Sequence, residues 1–480
     1  MAGWETVIGL ECHVELDTRT KMFCPCRTGF GAEPNSNTCA VCLGQPGSLP
    51  VPNAEAIRRI VKIGLALDCG IAPRSLFHRK NYFYPDMPKN YQISQYDLPI
   101  CVGGHLDVEQ ADGSMKRVGI TRVHMEEDTG KTTHGSASGR IHDASHALID
   151  FNRAGVPLVE CVSEPDLRSP AEAAAYLREL RATLEALDVS DVKMEEGSLR
   201  CDGNISVRLA GEEGFGTKVE IKNMNSIRSL ERALTFEAER QIAALEAGEA
   251  LVQETRHWDE DAGVTTSMRS KEEAFDYRYF PEPDIPGIEP SDAWVGEIRA
   301  SLPELPRARR ARYEGLGLRP ETVRVLVADP GATRLFEGAT ALGADPTAAA
   351  NWITQDVAAL RNAAGDDGEL TPAHVADVVA LRADGTLSGA GAKQALEAAF
   401  DTGEPVAAIV EARGLRQVAD AGALGGLADE VLAEHPDVVE KFRGGKEGVL
   451  GFLVGQLLQK AGGSADPKLA QELLRERLRG

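Results

Sequence analysis

The first predicted strand, residues 6–16 (TVIGLECHVEL), has apolar side chains at even positions and Glu11, His13 and Glu15 at odd positions. Because successive side chains of a strand point to opposite faces, one face is apolar and the other carries two carboxylates and an imidazole. Carboxylates held this close repel one another unless a proton or a cation lies between them. The strand therefore predicts a sheet with one buried face and one face suited to a cation. A solvated edge face is the alternative for this strand taken alone.

Four further segments repeat this pattern, at residues 118–131, 147–153, 191–202 and 218–222. With the first strand they predict one sheet that lines a polar cleft. Carboxylates with an occasional histidine suit Mg²⁺, which usually also binds phosphate oxygens, so the pattern indicates nucleotide chemistry. From these polar faces Glu196 is assigned to catalysis. The side chains assigned to nucleotide binding are Arg122, Asp150, Asn152, Arg200 and Lys222.

Length and charge restrict the class of protein. At 480 residues the chain is too long for one hydrophobic core, and roughly three domains are expected. The net charge of −22 argues against a general nucleic-acid coat protein, so contact with RNA requires a local basic patch. The first residues lack a basic segment followed by an apolar stretch, and no apolar run approaches the ~20 residues that cross a bilayer. We therefore expect no signal peptide, no membrane partner and a cytoplasmic location.

The composition changes after the proline-rich stretch at residues 280–290. Strand patterns predominate before this stretch, and short helical patterns broken by Gly and Pro follow it. Ser169, followed by Pro170 and Glu172, is typical of a helix start with a capping box. In the first part, helices are predicted at residues 53–67, 170–187 and 226–247. The pattern predicts an α+β chain with domains at residues 1–292, 293–403 and 404–480.

Four cysteines form a pattern typical of a zinc site, with Cys24 and Cys26 separated by twelve residues from Cys39 and Cys42. Thiolates at such spacing suit tetrahedral Zn²⁺, and cysteines in a reducing cytosol more often hold metal than form disulfides. Since all four positions are filled by thiolate, the predicted zinc is structural and not catalytic. The alternative is four ordinary buried cysteines.

Two further segments suggest contact with nucleotides or RNA. Residues 80–99 contain four tyrosines, one phenylalanine and the lysines Lys80 and Lys89. Rings could stack on a base and the lysines could attract phosphates or carboxylates, although a packed proline-rich loop is the alternative. Residues 440–480 carry eight Lys and Arg against five Asp and Glu, or +3, which a solvated helix face would also explain. We find no sequence signature of a glutaminase nucleophile, so ammonia, if used, must come from another chain.

Long motifs in this sequence resemble those of the B subunit of the aspartyl/glutamyl-tRNA amidotransferase. They include IGLECHVEL, RKNYFYPDMPKNYQISQ, RVHMEEDTGK, IDFNRAGVPLVE and DVKMEEGSLRCDGNIS, and they cover nearly all of residues 1–290. Near the C-terminus, GFLVGQLLQKAGGSADPK resembles the YqeY-like helical module. The sequence departs from the family pattern at Asn90 and Gly203, and neither departure removes a charged group.

The resemblance implies a glutamine-synthetase-like antiparallel sheet, called a cradle, followed by a helical domain and a YqeY-like tail. The cradle would bind ATP and Mg²⁺ and phosphorylate the side-chain carboxylate of Glu on tRNA(Gln) or Asp on tRNA(Asn). Ammonia from the amidase (glutaminase) subunit would then displace the phosphate and form the amide. That subunit, the small subunit of the same complex and the misacylated tRNA are thus the expected partners, with the helical parts gripping the tRNA. Some family members lack the four cysteines, which supports a structural zinc.

The resemblance also implies roles for individual residues. Glu11, His13 and Glu126 match metal-binding positions. Lys80, Lys89 and Glu127 match positions on the ammonia route. Alternation supports this division, because Glu126 and Glu127 must face opposite sides of their strand. Two other functions remain open: a non-catalytic tRNA-binding scaffold and a stand-alone ligase that uses free ammonia. The sequence does not distinguish Asp-tRNA(Asn) from Glu-tRNA(Gln) as the substrate.

Overall fold

A computed structural model describes residues 3–135, 144–270, 277–366, 368–417, 421–461 and 467–479. The chain divides into two compact units, Met1–Ala308 and Arg309–Gly480. The first unit contains all the strands of the described residues, and the second is helical, with one isolated β-bridge between Leu387 and Arg416. The fold is thus mixed α and β, with a large sheet. A search of the described residues finds no helix able to cross a membrane.

The strands of the first unit are numbered β1 to β15 in chain order. They are β1 Trp4–Glu15, β2 Gly70–Ile71, β3 His78–Asn81, β4 Tyr91–Ser94, β5 Cys101–Val102, β6 His105–Glu109, β7 Met115–Glu127, β8 Lys131–His134, β9 Ala147–Asp150, β10 Pro157–Ser163, β11 Leu199–Leu209, β12 Val219–Lys222, β13 Glu254–Asp259, β14 Val264–Ser270 and β15 Phe280–Pro281.

Thirteen strands form one sheet, whose main order is β14-β13-β12-β11-β1-β10-β7-β4-β3-β15. Strands β5 and β6 pair with β7, and β2 pairs with β5. Among the described strands every pairing is antiparallel except that of β12 with β13, which is parallel. The remaining two strands, β8 and β9, form a separate two-stranded sheet.

The helices are numbered α1 to α16. They are α1 Ala54–Ala66, α2 Pro170–Ala186, α3 Ile227–Glu246, α4 Asp292–Ala300, α5 Pro306–Gly315, α6 Pro320–Ala328, α7 Pro330–Ala341, α8 Pro346–Asn351, α9 Ala358–Ala364, α10 Pro372–Ala383, α11 Gly389–Thr402, α12 Val406–Arg413, α13 Ala421–Glu434, α14 Pro436–Arg443, α15 Leu450–Lys460 and α16 Pro467–Arg479. A π-helical turn, Trp352–Val357, joins α8 to α9, and a 3₁₀ turn, Glu447–Val449, precedes α15.

Helices α1, α2 and α3 pack on the apolar face of the large sheet. In β1 the even-numbered side chains from Ile8 to Val14 are buried, and they share one core with these helices. Ile298 of α4 belongs to the same core. The second unit has two further apolar clusters, one within residues 313–410 and one within residues 424–478. Because the helices cover the apolar face, the polar face of the sheet is left for the site.

The three helices predicted in the first part of the sequence are confirmed to within one residue. Ser169 caps α2 by accepting a hydrogen bond from the Glu172 backbone N–H at 3.2 Å. The carboxylate of Glu172 accepts from the Arg168 N–H at 2.7 Å and not from that of Ser169. In a capping box the Glu172 carboxylate would accept from the N–H of Ser169; here it accepts from the N–H one residue earlier. This bond connects the first turn of α2 to the segment that precedes the helix.

Two strand predictions are wrong in part. Residues 147–150 do form a strand, β9, but it pairs with β8 outside the large sheet. Residues 191–198 are not a strand; β11 begins at Leu199, and the acidic stretch before it forms a turn closed by Ser198 and Lys193. Alternation of apolar and polar residues predicts which side chains share a face of a strand. It does not predict which sheet the strand joins or at which residue the strand begins.

Asn53 connects α1 to the loop that precedes the helix. Its side-chain oxygen accepts from the Glu55 and Ala56 N–H groups, and its amide donates to the Thr20 carbonyl at 3.0 Å. Replacing Asn53 with Ala removes the cap and the loop contacts together. We expect a loss of about 2 kcal/mol in the free energy of unfolding, the upper end for a helix cap. Urea unfolding followed by circular dichroism measures this loss.

Ser291→Ala is the matched control, because Ser291 caps α4 with a single hydrogen bond, from the Trp294 N–H at 3.3 Å. It should cost about 1 kcal/mol or less. Equal losses in the two variants would show that the contacts between Asn53 and the loop contribute nothing to stability.

Candidate active site

Strand register brings four charged side chains into one row on the polar face. His13 of β1 lies opposite Arg200 of β11 on one side and opposite Glu160 of β10 on the other. Glu160 in turn lies opposite His124 of β7. Directly paired residues of neighbouring strands point to the same face, with their Cβ atoms roughly 5 Å apart. The row therefore crosses four strands and places the carboxylate of Glu160 between two imidazoles, with Arg200 beyond His13.

Glu126, two residues after His124, completes a tight cluster. The His124 Nε2 atom lies 3.2 Å from Glu160 Oε2 and 3.4 Å from Glu126 Oε1, and His13 Nε2 lies 3.6 Å from Glu160 Oε2. Ser94 Oγ donates to Glu126 Oε1 at 2.8 Å. His13, Glu126 and Glu160 each offer one ligand atom, and these atoms lie within 4.8 Å of one another.

Charge compensation keeps both carboxylates of this cluster ionised. Burial by itself raises the pKa of Glu126, but the charge of Lys80 and the hydrogen bond of His124 outweigh it and lower that pKa to about 2. Burial opposes the charged form of His124 as well, yet its bonds to Glu126 and Glu160 raise its pKa to about 9. The pKa of Glu160 is lowered because the hydrogen bonds of His124 and His13 outweigh its burial. The pKa of His13 is raised as well, because the effect of its hydrogen bond to Glu160 outweighs that of burial.

The donor set of His13, Glu126 and Glu160 fits a divalent cation. Two ionised carboxylates and an imidazole suit Mg²⁺ or Mn²⁺, which His13 would bind in its neutral form. Glu11, which the family resemblance places at the metal, lies on the same face but beside the cluster. Its Oε1 accepts from Asn204 Nδ2 at 2.9 Å.

Glu160 is a site residue that sequence reasoning missed. It lies in the apolar strand PLVECVS and is only 8% exposed. A glutamate within an apolar strand pattern is expected to be buried, and a buried carboxylate needs a partner. Since no basic residue lies nearby in the sequence, that partner had to come from another strand, and this requirement could have identified Glu160 as a site residue.

Lys80 contacts Glu126 and Lys89 contacts Glu127, on the two sides of β7. Lys80 Nζ lies 3.9 Å from Glu126 Oε1, so it belongs to the cluster, and the attraction of Glu126 raises its pKa although burial opposes this. Lys89 pairs with Glu127, whose Oε1 also accepts from the Ile93 N–H at 2.8 Å. Glu126 and Glu127 thus have separate sets of side-chain partners, as alternation predicted.

A second buried group borders the row at Arg200. Arg200 Nη2 donates to Asp128 Oδ2 at 2.8 Å, and Arg153 Nε lies 3.8 Å from the same oxygen. Burial and the neighbouring Asp128 raise the pKa of Glu15 to about 8. Burial would also raise the pKa of Asp128, but Arg200 and Arg153 lower it strongly. One proton is therefore shared within this carboxyl pair near neutral pH, held between two guanidinium groups.

The other predicted nucleotide-binding residues lie in different places. Arg122 Nε lies 3.4 Å from His124 Nδ1, beside the cluster. Lys222 binds Asp202 and lies 3.1 Å from Glu220. Asp150 and Asn152 do not line this face: their side-chain oxygens accept from backbone N–H groups of residues 35 and 37. They hold the loop that carries the cysteines.

Glu196, the predicted catalytic residue of the fourth segment, lies in the turn before β11. Its carboxylate pairs with Lys193 at 2.8 Å, and both side chains are more than one third exposed. It is not part of the charged row, because the segment that carries it is not a strand.

The four cysteines come together at a separate site. The Sγ atoms of Cys24, Cys26, Cys39 and Cys42 lie within 4.8 Å of one another, and those of Cys39 and Cys42 are 3.9 Å apart. Four sulfurs bound at roughly 2.3 Å around Zn²⁺ stand roughly 3.8 Å apart, so the geometry fits a tetrahedral ion. With four protein ligands such a site is closed, and it would stabilise the loop.

Electrostatics favour the thiolate form at Cys42, whereas a hydrogen bond with Cys42 and burial raise the pKa of Cys24, and burial raises that of Cys26 to about 11. A hydrogen bond from Cys24 and the backbone of Cys39 outweigh burial and lower the pKa of Cys42 to about 4. The side chain of Lys21 is almost fully buried, and its Nζ lies 3.7 Å from Cys42 Sγ and donates to the Phe151 carbonyl at 3.2 Å. Four thiolates around Zn²⁺ carry a net negative charge, which this buried ammonium partly offsets.

Similarity to known proteins extends along the whole chain. A family model described as the GatB/GatE catalytic domain matches residues 6–296, and one described as the GatB domain matches residues 334–478. The chain is 53% identical over 479 residues to the aspartyl/glutamyl-tRNA(Asn/Gln) amidotransferase B subunit of Moorella thermoacetica, covering 99% of this chain and 100% of the relative. It is 51% identical over 487 residues to the protein of the same name from Picosynechococcus sp., covering 99% and 98%.

The charged sheet face and these matches define one component of a tRNA-dependent amidotransferase. The chain belongs to the family of B subunits of the aspartyl/glutamyl-tRNA(Asn/Gln) amidotransferases. The resemblance inferred from its motifs is confirmed.

If the cysteines hold zinc, the full-length protein should carry about one equivalent of the metal per chain by elemental analysis. Replacing Cys39 and Cys42 together with Ser should remove the metal and lower the melting temperature, because the loop loses its closing ligands. Cys69→Ser is the matched control: Cys69 is also buried but lies outside the cluster, so this variant should keep its zinc. If a zinc-free preparation of the unmodified protein kept its full thermal stability, the zinc site would be ruled out and the four residues would be ordinary buried cysteines.

Proposed function

We propose that this chain activates and amidates an aminoacyl group on tRNA within an amidotransferase made of several different subunits. The side-chain carboxylate of Glu on tRNA(Gln) or Asp on tRNA(Asn) accepts the γ-phosphoryl group of ATP, and ammonia then displaces the phosphate. The observation that carries the proposal is the cluster of His13, Glu126 and Glu160 on the polar face of the sheet, in a chain of the B-subunit family.

The cluster has the properties that phosphoryl transfer requires. Catalysis of this reaction consists largely of positioning the reactants and stabilising charge as it develops. Mg²⁺ held by His13, Glu126 and Glu160 would supply the positive charge that neutralises phosphate oxygens. Lys80, 3.9 Å from Glu126, adds a fixed cation beside the same site. Ser94 and Gln92 fix the orientation of the Glu126 carboxylate through hydrogen bonds of 2.8 and 3.0 Å.

The pair of Lys89 and Glu127 is suited to a separate task. Both side chains are almost fully buried, with 5% and 3% exposed. We assign them to the route by which ammonia reaches the activated carboxylate. Desolvated polar groups of this kind can bind ammonia and accept a proton from ammonium.

The same proposal includes the partners. The amidase (glutaminase) subunit releases ammonia from glutamine, and the complex is completed by its small subunit. The helical domain at residues 293–403 and the YqeY-like tail at residues 404–480 bind the misacylated tRNA. The relatives' names, which specify an aspartyl/glutamyl-tRNA(Asn/Gln) amidotransferase, support this assignment. A purely tRNA-binding scaffold would not need two buried carboxylates facing one another across two strands.

Glu126→Gln keeps the shape of the side chain and removes the charge that would hold the cation. In the complex with its partner subunits, this variant should lose amidation with glutamine and with ammonium together, because activation by ATP precedes both. Affinity for the misacylated tRNA should stay near that of the unmodified complex. ADP release and amide formation, measured with each nitrogen donor, test this. Near-normal ATP-dependent amidation with ammonium would rule out Glu126 as a metal ligand.

Glu127→Gln is the matched comparison, since it makes the same chemical change at the adjacent residue on the other side of β7. If Glu127 serves the ammonia route, activity with glutamine should fall more than activity with a high concentration of ammonium. ADP formation in a single turnover should be retained. An equal loss with both donors would place Glu127 in the activation step.

A further inference from the structure

The ammonium of Lys80 is a cation of the charged cluster whose position the cluster alone does not fix. Its Nζ lies 3.9 Å from Glu126 Oε1, which is longer than a hydrogen bond. The stem of a lysine is flexible, so one long ion pair leaves the ammonium free to occupy several positions. Nζ also lies over the ring of Tyr277, 5.2 Å from the ring centroid. Because an aromatic face attracts a cation, the position of Tyr277 helps to decide where the ammonium lies.

Tyr277 begins a segment, residues 277–282, that runs beside β3. Its strand pairing with β3 is confined to the two residues of β15, and one of these is a proline, which has no N–H to donate. Asn81 of β3 adds two bonds to the start of the segment: its N–H and its Nδ2 donate to the Tyr277 carbonyl at 2.9 and 3.2 Å. The segment therefore relies on side chains for much of its attachment to β3.

Arg278 gives this segment an unfavourable backbone conformation between two tyrosines. Its φ is +45°, in the left-handed region that residues with side chains rarely adopt. Such a conformation costs free energy and persists only where the surrounding structure holds it. Asn81 Nδ2 donates to the Arg278 carbonyl at 2.9 Å, and the rings of Tyr277 and Tyr279 pack edge to face with their centroids 6.2 Å apart. The contacts around the segment thus select one conformation.

A buried ion pair holds the other end of the segment. Arg79 of β3 donates to both carboxylate oxygens of Glu282, from Nε to Oε2 at 2.6 Å and from Nη2 to Oε1 at 2.8 Å. The side chain of Glu282 is fully buried, and the guanidinium of Arg79 lies over the ring of Tyr91 at 4.4 Å. A bidentate pair fixes both distance and orientation. Arg79 and Lys80 are consecutive on β3 and point to opposite faces, so the ion pair lies on the other side of the strand from the cluster.

We propose that Arg79 and Glu282 are positioning residues for the activation step, because their ion pair fixes the segment whose Tyr277 ring holds the ammonium of Lys80 beside Glu126. The inference rests on the proposed function and adds to it two residues outside the cluster. Phosphoryl transfer depends on charges that are held in place before the reaction. A misplacement of 1 Å can slow a reaction roughly 100-fold. Loosening the segment should therefore slow the chemical step and leave the binding of substrates unchanged.

Glu282→Gln keeps the shape of the side chain and removes its charge. In the complex with its partner subunits, this variant should lower kcat for ATP-dependent amidation with ammonium roughly tenfold or more. The KM for ATP and the affinity for misacylated tRNA should not change. Arg79→Lys, which keeps the positive charge and loses the bidentate geometry, should act in the same direction. Steady-state ADP release measures kcat and KM, and circular dichroism checks that each variant is folded.

A second background tests whether the ion pair acts through Lys80. Lys80→Met keeps the length of the side chain and removes the ammonium, so it should lower kcat by itself. Adding Glu282→Gln to Lys80→Met should cost nothing further, since residues that act through one group are not additive. Glu237→Gln is the matched control: Glu237 is also fully buried and accepts both bonds of a bidentate pair with Arg240, at 2.9 and 2.6 Å, but it lies on α3. This variant should lower the melting temperature and leave kcat unchanged.

Each result supports or overturns the assignment. Equal losses of kcat from Glu282→Gln with and without Lys80→Met would overturn it, because the ion pair would then act independently of Lys80. An unchanged kcat in Glu282→Gln or in Lys80→Met would overturn it too, and so would a loss of tRNA affinity in place of kcat. In all of these cases the proposed function would stand if Glu126→Gln were inactive in the same assay. If Glu126→Gln were active with ammonium, the proposed function itself would fail, and this inference with it.

Discussion

The antiparallel register of β11, β1, β10 and β7 is the constraint on which the site depends. It sets Arg200, His13, Glu160 and His124 opposite one another, although they come from segments up to 187 residues apart in the sequence. A shift of one residue in any of these pairings would turn that strand's charges towards the apolar core. The three helices that cover the other face stabilise this register, because they bury the alternate side chains of the same strands.

Burying so many charges is costly, and the structure offsets this cost with close partners. Glu126 is approached by Lys80, His124, Ser94 and Gln92, so its charge is satisfied before any cation binds. Removing one partner from a buried ion pair typically costs about 3–5 kcal/mol, since the other charge remains buried. The site is thus held in place by its own ion pairs, which suits a reaction that depends on preorganised charge.

The cysteine site and the pair of Lys89 and Glu127 are connected through Gly155. Lys21, Cys42 and Glu127 all come within 3.7 Å of the position that a Cβ at Gly155 would occupy. The backbone of Gly155 has φ +89°, which favours glycine. The loop that zinc would stabilise therefore lies against the side of β7 that carries Glu127. The cluster around Glu126 depends instead on β1 and β10.

Local sequence is enough to predict the alternation of β1 and β7, the opposite faces of Glu126 and Glu127, the cysteine set and the helix starts. Each of these follows from neighbouring residues, because strand and helix periodicity and cap chemistry are local. The folded chain was needed to bring Glu160 into the cluster and to place Asp150 and Asn152 against the cysteine loop. The structure also places Glu196 in an exposed turn before β11, outside the charged row. These outcomes depend on which strands pair and in what register, and pairing between distant segments is decided by packing of the whole sheet against its helices.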